Sequence, residues 1–291
     1  MIVAGPAKLI VALYLKVNGL IMKKICFIVV NHLGFQQTIE MYKSLLVVSD
    51  NHDKFDFIVV DNSLDENESN RLDIFFESSK NVKLIYSECN EGYFAGLNLG
   101  LGACDVEKYK YVCIGNNDLV FDKLFLDSLK GKIFSKDVFV VCPDIVTVDG
   151  FHQNPHVVKR VSKIRKLKLD IYYTSFFVAN FLLVVQKFLM PRRPNKKSDS
   201  PQYIHMGIGA FYILTSEFFK NNTKLEYPFF LYGEEAFLSA QVIKSDGKIY
   251  YDPDLVVYHE ESASLSKTPS LKRYNWSKES YPLCQPSPNF S

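Results

Sequence analysis

Tryptophan is nearly absent, with one residue in 291, and cysteine is sparse, with six residues and no CxxC pair. The cysteines at 26, 89, 104, 113, 142 and 284 are scattered, and Cys26, Cys113 and Cys142 fall inside apolar runs. They read as small buried hydrophobes in a reducing compartment, which argues against a disulfide or metal framework. No GxGxxG follows the first strand-like run, and Gly96, Gly100 and Gly102 have the wrong spacing and place for one. That argues against a nicotinamide-binding Rossmann domain. GxxxxGK[ST], GxSxG and HExxH are missing too, which excludes a P-loop, the usual α/β-hydrolase nucleophile and a zincin helix.

Long clean apolar runs are also missing. The stretch 171–190 is strongly apolar, yet Asn180, Gln186 and Lys187 interrupt it, and its longest uninterrupted run is 181–185. A spanning helix needs about 20 mostly apolar residues. Residues 1–21 are apolar but broken by Lys8 and Lys16, with no charged leader, so they make a poor signal peptide. Met22 followed by Lys23 and Lys24 reads as a natural start, and 1–21 as an upstream extension outside the core.

What remains is an ordinary globular composition, 47% hydrophobic and 23% charged, rich in Phe (23) and Tyr (17). That excludes disorder and collagen-like repeats. The small net charge of +2 conceals a division. Residues 156–197 hold eleven Lys and Arg against the single acid Asp170, a net of +10, which leaves −8 on the rest. A basic block beside an acidic body suggests a local anionic partner such as lipid headgroups, and argues against a general nucleic-acid binder. With the apolar 171–190 stretch between basic flanks, segment 156–201 resembles an interfacial membrane element. The alternatives are a solvated basic face, or a helix packed on the body or on a second subunit of a homodimer.

From Lys24 the pattern alternates. KKICFIVVNH, FDFIVVDNS, VKLIYSECN, KYVCIGNND and DVFVVCPDI are short strand-like runs. Phe35, Ile39, Tyr42 and Leu46 share one helical face, as do Phe94, Leu97 and Leu101 after Gly92. Alternation resumes at 204–214, a helix opens at Gly233-Glu234-Glu235, and GKIYY and PDLVVYH read as two further strands. The last stretch, 266–291, has no periodicity and reads as a tail. Strands alternating with helices predict a doubly wound α/β sheet, in which ligands bind beyond the carboxyl ends of the strands. Four such ends are polar: Asn31-His32, Asp61-Asn62-Ser63, Cys89-Asn90 and Asn116-Asn117-Asp118. Together they suit a hydroxyl-rich ligand.

Asp118 at a strand end is a natural ligand for a hard divalent cation, which is typically held by one or two carboxylates plus substrate phosphates. Asn116 could orient phosphates, and Asp61 could accept from a ribose or base. Helix capping and turn formation are the alternative roles for Asp61 and Asp118. Glu234 and Glu235 repel each other, which raises the pKa of one and suits a general base; an acidic first helical turn is the other explanation. His259 is either a metal ligand or structural.

In order, ICFIVVNH (25–32), IVVDNS (58–63), NEGYFAGLNLGL (90–101), CIGNNDLVF (113–121), GIGAFYIL (207–214) and FFLYGEEAFLSAQVIKSDGKIYYDPDLVVYH (229–259) resemble glycosyltransferase family 2. The likeness is greatest to its rhamnosyltransferase-like branch, which builds bacterial surface polysaccharides such as lipopolysaccharide O-antigen and capsule. It covers roughly 24–265 apart from the basic and apolar segment. The resemblance implies a GT-A (Rossmann-like) α/β fold over 22–265, with a mixed, mostly parallel central sheet and helices on both faces. It also implies a nucleotide-diphosphate sugar donor, a divalent metal (Mg or Mn), inversion at the anomeric carbon, and a glycan or lipid-linked acceptor met in the cytoplasm or at the inner membrane face. By the same resemblance, Val30 and Asn31 would contact the nucleotide, and Asp61 and Asn62 would hold its base or ribose. Asn90, Gly92 and Asn98 would lie along nucleotide and sugar, and Gly209 and Ala210 beside donor and acceptor. Asn116-Asn117-Asp118 occupies the DxD position, with Asp118 on the metal; His259 would complete that metal site. Glu235 would be the base, with Glu234 as the runner-up. Two departures stand out: Asn116 replaces the first Asp of a strict DxD, and Glu235 stands where Asp is usual. A non-catalytic nucleotide-sugar or glycan-binding module is a competing reading. So is a nucleotidyltransferase, although VNHLGFQQ carries no Lys or Arg for a phosphate loop.

Overall fold

The Ile- and Val-rich runs form strands and the periodic stretches between them form helices. In the first half these are β1 (Lys24–Asn31), α1 (Phe35–Val48), β2 (Phe55–Asp61), α2 (Glu66–Phe76), β3 (Val82–Tyr86), α3 (Tyr93–Gly102) and β4 (Tyr109–Asn116). Next come β5 (Leu119–Phe121), α4 (Phe125–Gly131), β6 (Val138–Thr147), α5 (Lys163–Tyr172) and α6 (Phe176–Leu189). The chain continues through β7 (Gln202–Ile204), β8 (Phe211–Thr215), α7 (Phe218–Asn221), α8 (Glu234–Lys244), β9 (Lys248–His259) and α9 (Leu271–Ser280). This computed structural model describes residues 24–49, 55–160, 162–189, 197–260 and 271–281. The expected extension 1–21, Cys284, and Arg192, Arg193 and Lys196 of the basic block lie outside the described residues.

Nine strands among the described residues make one mixed sheet, in the order β3-β2-β1-β4-β8-β6-β9-β5 with β7 on β9. β3, β2, β1 and β4 run parallel. β8 is antiparallel to β4 and β6, while β9 is parallel to β6 and antiparallel to β5 and β7. Both faces are covered, as a parallel sheet requires. In β1, Ile25, Phe27 and Val29 join one core, and Cys26 and Ile28 join the other. Ile39, Tyr42 and Leu45 of α1 fill the first; Phe94, Leu97 and Leu101 of α3 fill the second. The phenylalanine richness serves the first core, where Phe27 meets Phe55, Phe121 and Phe211 at ring separations of 5.9, 5.3 and 6.4 Å.

The α3 glycines have a packing role. A Cβ on Gly100 would lie 2.2 Å from Ile28 Cγ2, and one on Gly96 would lie 2.8 Å from Asn62 Nδ2. One turn apart, they let the helix backbone settle directly on β1 and β2. GKIYY and PDLVVYH, expected as two strands, are one strand, β9, whose register against β6 shifts at Pro143/Asp144. The break at Pro253 is absorbed by that bulge, since proline has no N–H for the ladder. Lys132 Nζ clamps it, 2.9 Å from buried Asp252 and 2.7 Å from Asp254.

The expected tail also contains structure. α9 is too polar to show an apolar stripe, and it is held by two aromatics instead. Tyr274 is buried among Tyr172, Tyr173 and Phe176, and the lone Trp276 lies 4.9 Å from the Phe230 ring.

Gly100→Val is expected to lower stability by about 1–3 kcal/mol through overpacking. A urea midpoint equal to that of the parent would show that α3 is not seated on Ile28.

Candidate active site

Sheet register brings the polar strand ends shoulder to shoulder: Asn31 lies opposite Asp61, and Val30 opposite Asn116. Asn31 is fully buried. Its Nδ2 donates to Asp61 Oδ1 (2.9 Å) and Glu68 Oε1 (3.1 Å). Its Oδ1 accepts from Gly34 N (3.2 Å), Thr38 Oγ1 (3.1 Å) and Asn117 Nδ2 (3.1 Å). Asp61 accepts further from Ser63 N (3.1 Å) and Ser69 Oγ (2.9 Å), and Asn62 Nδ2 donates to Gly92 O (3.2 Å). The side chains of Asn31, Asp61, Asn62 and Asn117 are thus engaged with one another and with the chain around them. In this arrangement they build the frame of the rim. Asn98 is clasped to a neighbouring loop, accepting from Leu225 N (2.8 Å) and donating to Leu225 O (3.0 Å).

Nearer the open edge, half-buried Val30 packs under Gly96. Asn90 Oδ1 accepts from Gly92 N (3.1 Å), shaping the turn into α3. Gly92 has φ +104°, and a Cβ there would lie 2.0 Å from Phe230 O, so no other residue fits. Asn116 is half-exposed at the end of β4, and its N–H donates to Ala210 O (2.9 Å).

Asp118 follows at the start of β5. Its Oδ1 is buried and receives no hydrogen bond, although it sits 3.3 Å from His259 Nε2. His259 Nδ1 lies 2.9 Å from Gln153 Oε1, an acceptor, which assigns the ring proton to Nδ1. Nε2 then faces a carboxylate oxygen in a buried place, where either a second ring proton or a bound cation supplies the positive charge that the pair calls for. A divalent cation fits this pair of O and N donors. Among the described residues no group of three His, Cys, Asp or Glu converges on one point, so phosphates and water would complete such a coordination shell.

The acid pair enters from α8. Tyr232 and Gly233 have φ of 72° and 99°, a left-handed corner leading into the helix. For Tyr232 this costs about 1–2 kcal/mol, and its carbonyl is held by the Tyr227 hydroxyl at 2.7 Å. Glu235 Oε1 accepts from Gly209 N (3.1 Å), and Gly209 O accepts from the Tyr93 hydroxyl (3.1 Å). A Cβ on Gly209 would lie 2.9 Å from Glu235 Oε1, so the bare backbone is what admits the carboxylate. Glu234 is buried. Burial first and the neighbouring Glu235 second push its pKa up to about 7, while main-chain N–H groups pull it partly back.

Tyr93 ties the two ends together. Its phenol is raised well above its ordinary pKa, first by burial and then by the charges of Glu234, Asp118 and Glu235. All three carboxylates therefore act electrostatically on one phenol, the strand-end acid together with the helix-mouth acids. Burial lowers the pKa of His156, and Glu235 opposes that shift, so this imidazole from the β6–α5 connection lies within the field of the same carboxylate. Sequence reasoning missed Tyr93, though it adjoins Gly92 in a quoted block; His156 carried no signal beyond lying in the basic stretch. Two hollows lie near the strand-end residues. One of about 450 Å³ is lined by Asp65, Glu66 and Ser69 beside Asp61, and one of about 410 Å³ includes His259.

The sequence model described as Glycosyl transferase family 2 matches residues 26–196. The chain belongs to glycosyl transferase family 2. Its fold is the GT-A fold of that family, and solved glycosyltransferases share it at low identity. TarS 1-349 of S. aureus, in complex with UDP-GlcNAc, has a TM-score of 0.55 and 17% identity over 87% of this chain and 64% of that one. GalNAc-T7 with UDP, GalNAc and Mn2+ gives 0.55 and 14%, over 87% and 47%. The mannosyltransferase PcManGT of Pyrobaculum calidifontis, with GDP-Man and Mn2+, gives 0.51 and 14%, over 81% and 56%. The family 2 chain thus spans less than two thirds of each of these neighbours. No curated protein matches its sequence.

The buried Glu234 has a thermodynamic signature. Its folded pKa of about 7 lies above the ordinary 4.5. Between those values the folded chain holds a proton that the unfolded chain has lost, so stability falls as pH rises through the window. The loss is about 3 kcal/mol. Glu234→Gln is expected to flatten this fall, narrowing the difference in thermal midpoint between about pH 5 and pH 8. Parallel pH profiles for parent and variant would contradict the burial.

Proposed function

We propose that this family 2 protein transfers a sugar from a nucleotide-diphosphate donor to a hydroxyl of a glycan or lipid-linked acceptor, with inversion at the anomeric carbon. The observation that supports the reading is that the charges of Asp118, Glu234 and Glu235 all bear on the Tyr93 phenol. The donor would lie along the strand ends, from the Asp61 side toward Asp118, bounded by Val30, Asn90, Gly92 and Asn116. The frame of Asn31, Asp61, Asn62 and Asn117 would hold that floor rigid, so that the reacting carbon is presented in one orientation.

Glu235 is the proposed base. The Gly209 N–H fixes one carboxylate oxygen. The carboxylate would take the proton of the acceptor hydroxyl as its oxygen attacks the anomeric carbon. The carbon–oxygen bond to the diphosphate breaks on the opposite face, and its electron pair leaves on the phosphate oxygen. Asp118 and His259 would hold the divalent metal, Mg or Mn, which when bound supplies charge neutralisation for the departing diphosphate. Glu234, protonated more readily, would keep the helix mouth from carrying two full negative charges beside that diphosphate.

The motif resemblance supports a hexosyl or rhamnosyl donor and a product in bacterial surface polysaccharide, O-antigen or capsule. It also supports work in the cytoplasm or at the inner face of the membrane.

Release of nucleoside diphosphate across a panel of nucleotide sugars, with Mn²⁺ or Mg²⁺, tests the reading. Glu235→Gln keeps an oxygen for Gly209 N–H but cannot accept the proton, and is expected to lower kcat by about 10²–10⁴-fold with little change in KM. Release that survives both Glu235→Gln and Glu234→Gln would remove the acid pair from the chemistry. Asp118→Asn is expected to weaken nucleoside diphosphate binding by at least about tenfold when Mn²⁺ is present and little in its absence. Equal titrations in calorimetry, with and without metal, would dismiss Asp118 as a metal ligand.

A further inference from the structure

The α5–α6 hairpin carries a surface that the transfer reaction does not use. Along α6, Phe177, Phe181, Val184 and Phe188 recur at steps of four, three and four, on one helical face, and are 85%, 67%, 54% and 82% exposed. Along α5, Ile164, Leu167 and Ile171 recur at steps of three and four and are also exposed, with Lys163, Arg165, Lys166 and Lys168 exposed between them. Scattered surface hydrophobes are normal, but two periodic stripes on adjacent helices are not scatter. The inner side of the hairpin already has a partner. Tyr274 of α9 packs on Tyr172, Tyr173 and Phe176, Tyr281 stacks on Tyr173 at 4.5 Å, and its hydroxyl donates to Asp170 Oδ1 at 2.5 Å. The outward stripes are what this packing leaves open.

We infer that the two stripes form a docking surface for an anionic lipid bilayer, with the hairpin lying in the plane of the interface. Length decides against spanning. The 14 residues of α6 reach about 21 Å, short of the ~30 Å hydrocarbon core. Among the described residues no helix is long and apolar enough to cross a membrane. Charge selects the occupant. Along α5 the exposed Lys163, Arg165, Lys166 and Lys168 stand against the one acid Asp170, so a second copy placed on this face would set like charges against each other. Anionic headgroups attract the same charges while the acyl boundary takes the phenylalanines, the two requirements of an interfacial helix. α9 also links this surface to the site, because Trp276 lies 4.9 Å from Phe230 and 6.4 Å from Tyr232, just before the Glu234–Glu235 helix mouth. Docking would therefore place the acid pair close to the bilayer, where a lipid-borne acceptor would be met; that last step rests on the transfer reading, and the docking does not.

The test is co-sedimentation of the full chain with sucrose-loaded vesicles, phosphatidylcholine alone or with about one third phosphatidylglycerol. The parent is expected to pellet with the anionic vesicles, less so at high salt, and to stay in solution with the neutral ones. The triple variant Phe177→Ser, Phe181→Ser, Phe188→Ser is expected to lose at least about tenfold in partitioning, as is the quadruple change of Lys163, Arg165, Lys166 and Lys168 to Gln. These residues are exposed, so the thermal midpoint and nucleoside diphosphate binding should be retained, which keeps a docking failure separate from a failure of the donor site. A parent that stays in the supernatant with anionic vesicles, or a triple variant that pellets like the parent, overturns the proposal. So does light scattering that shows a parent dimer converted to monomer by the triple variant, which would make the stripes a subunit interface.

Discussion

The amide of Asn31 is the joint on which the ligand-facing edge of the sheet depends. One planar group, fully buried, donates to the acids of β2 and α2 and accepts from the first turn of α1 and the loop after β4. Four segments separated by up to 86 residues in the chain are thereby fixed to one point. Such a network stiffens a site only when each member is satisfied, and here both polar atoms of the amide are fully engaged. The polar rim of the sheet owes its shape to this joint. Asp118, two residues beyond the parallel strand that shares it, inherits its position from the same hydrogen bonds.

Above that rim three carboxylates bear on the Tyr93 phenol, and Arg273 lies against Tyr232 at the helix mouth. Asp118 faces His259 across 3.3 Å, and the α8 mouth adds two more carboxyls. In the folded chain the strain of like charge is relieved partly by protonating Glu234 and partly by the dipole of the helix that carries it. A site built this way favours whatever brings positive charge together with a phosphate.

Much of the sheet was legible because buried parallel strands announce themselves as Ile- and Val-rich runs, as in ICFIVV and FIVV. The polar rim was legible for the complementary reason that Asn and Asp cluster where those runs stop. The division of labour inside the rim was not. Asn31, Asn98 and Asn117 look like ligand groups in one dimension, but their partners lie far along the chain and follow no period. Gly96 and Gly100 had the wrong spacing for a dinucleotide fingerprint; the close approach of Asn62 and Val30 to the first and of Ile28 to the second explains them. α9 was invisible because two aromatic contacts, rather than an amphipathic stripe, secure it. The position of the acid pair was legible, since Glu234 and Glu235 do open α8, although the helix dipole by itself favours acids in a first turn.

The left-handed corner at Tyr232 and Gly233 gives the carboxyl-terminal helix a significance out of proportion to its length. That corner is leaned upon by an indole that arrives from some forty residues later. Trimming the protein ahead of Leu271 would spare every strand and both cores, yet would remove the buttress from the bend that aims the two glutamates. Architecture and local geometry are in this sense separable: the body could persist, well folded, with that corner slack.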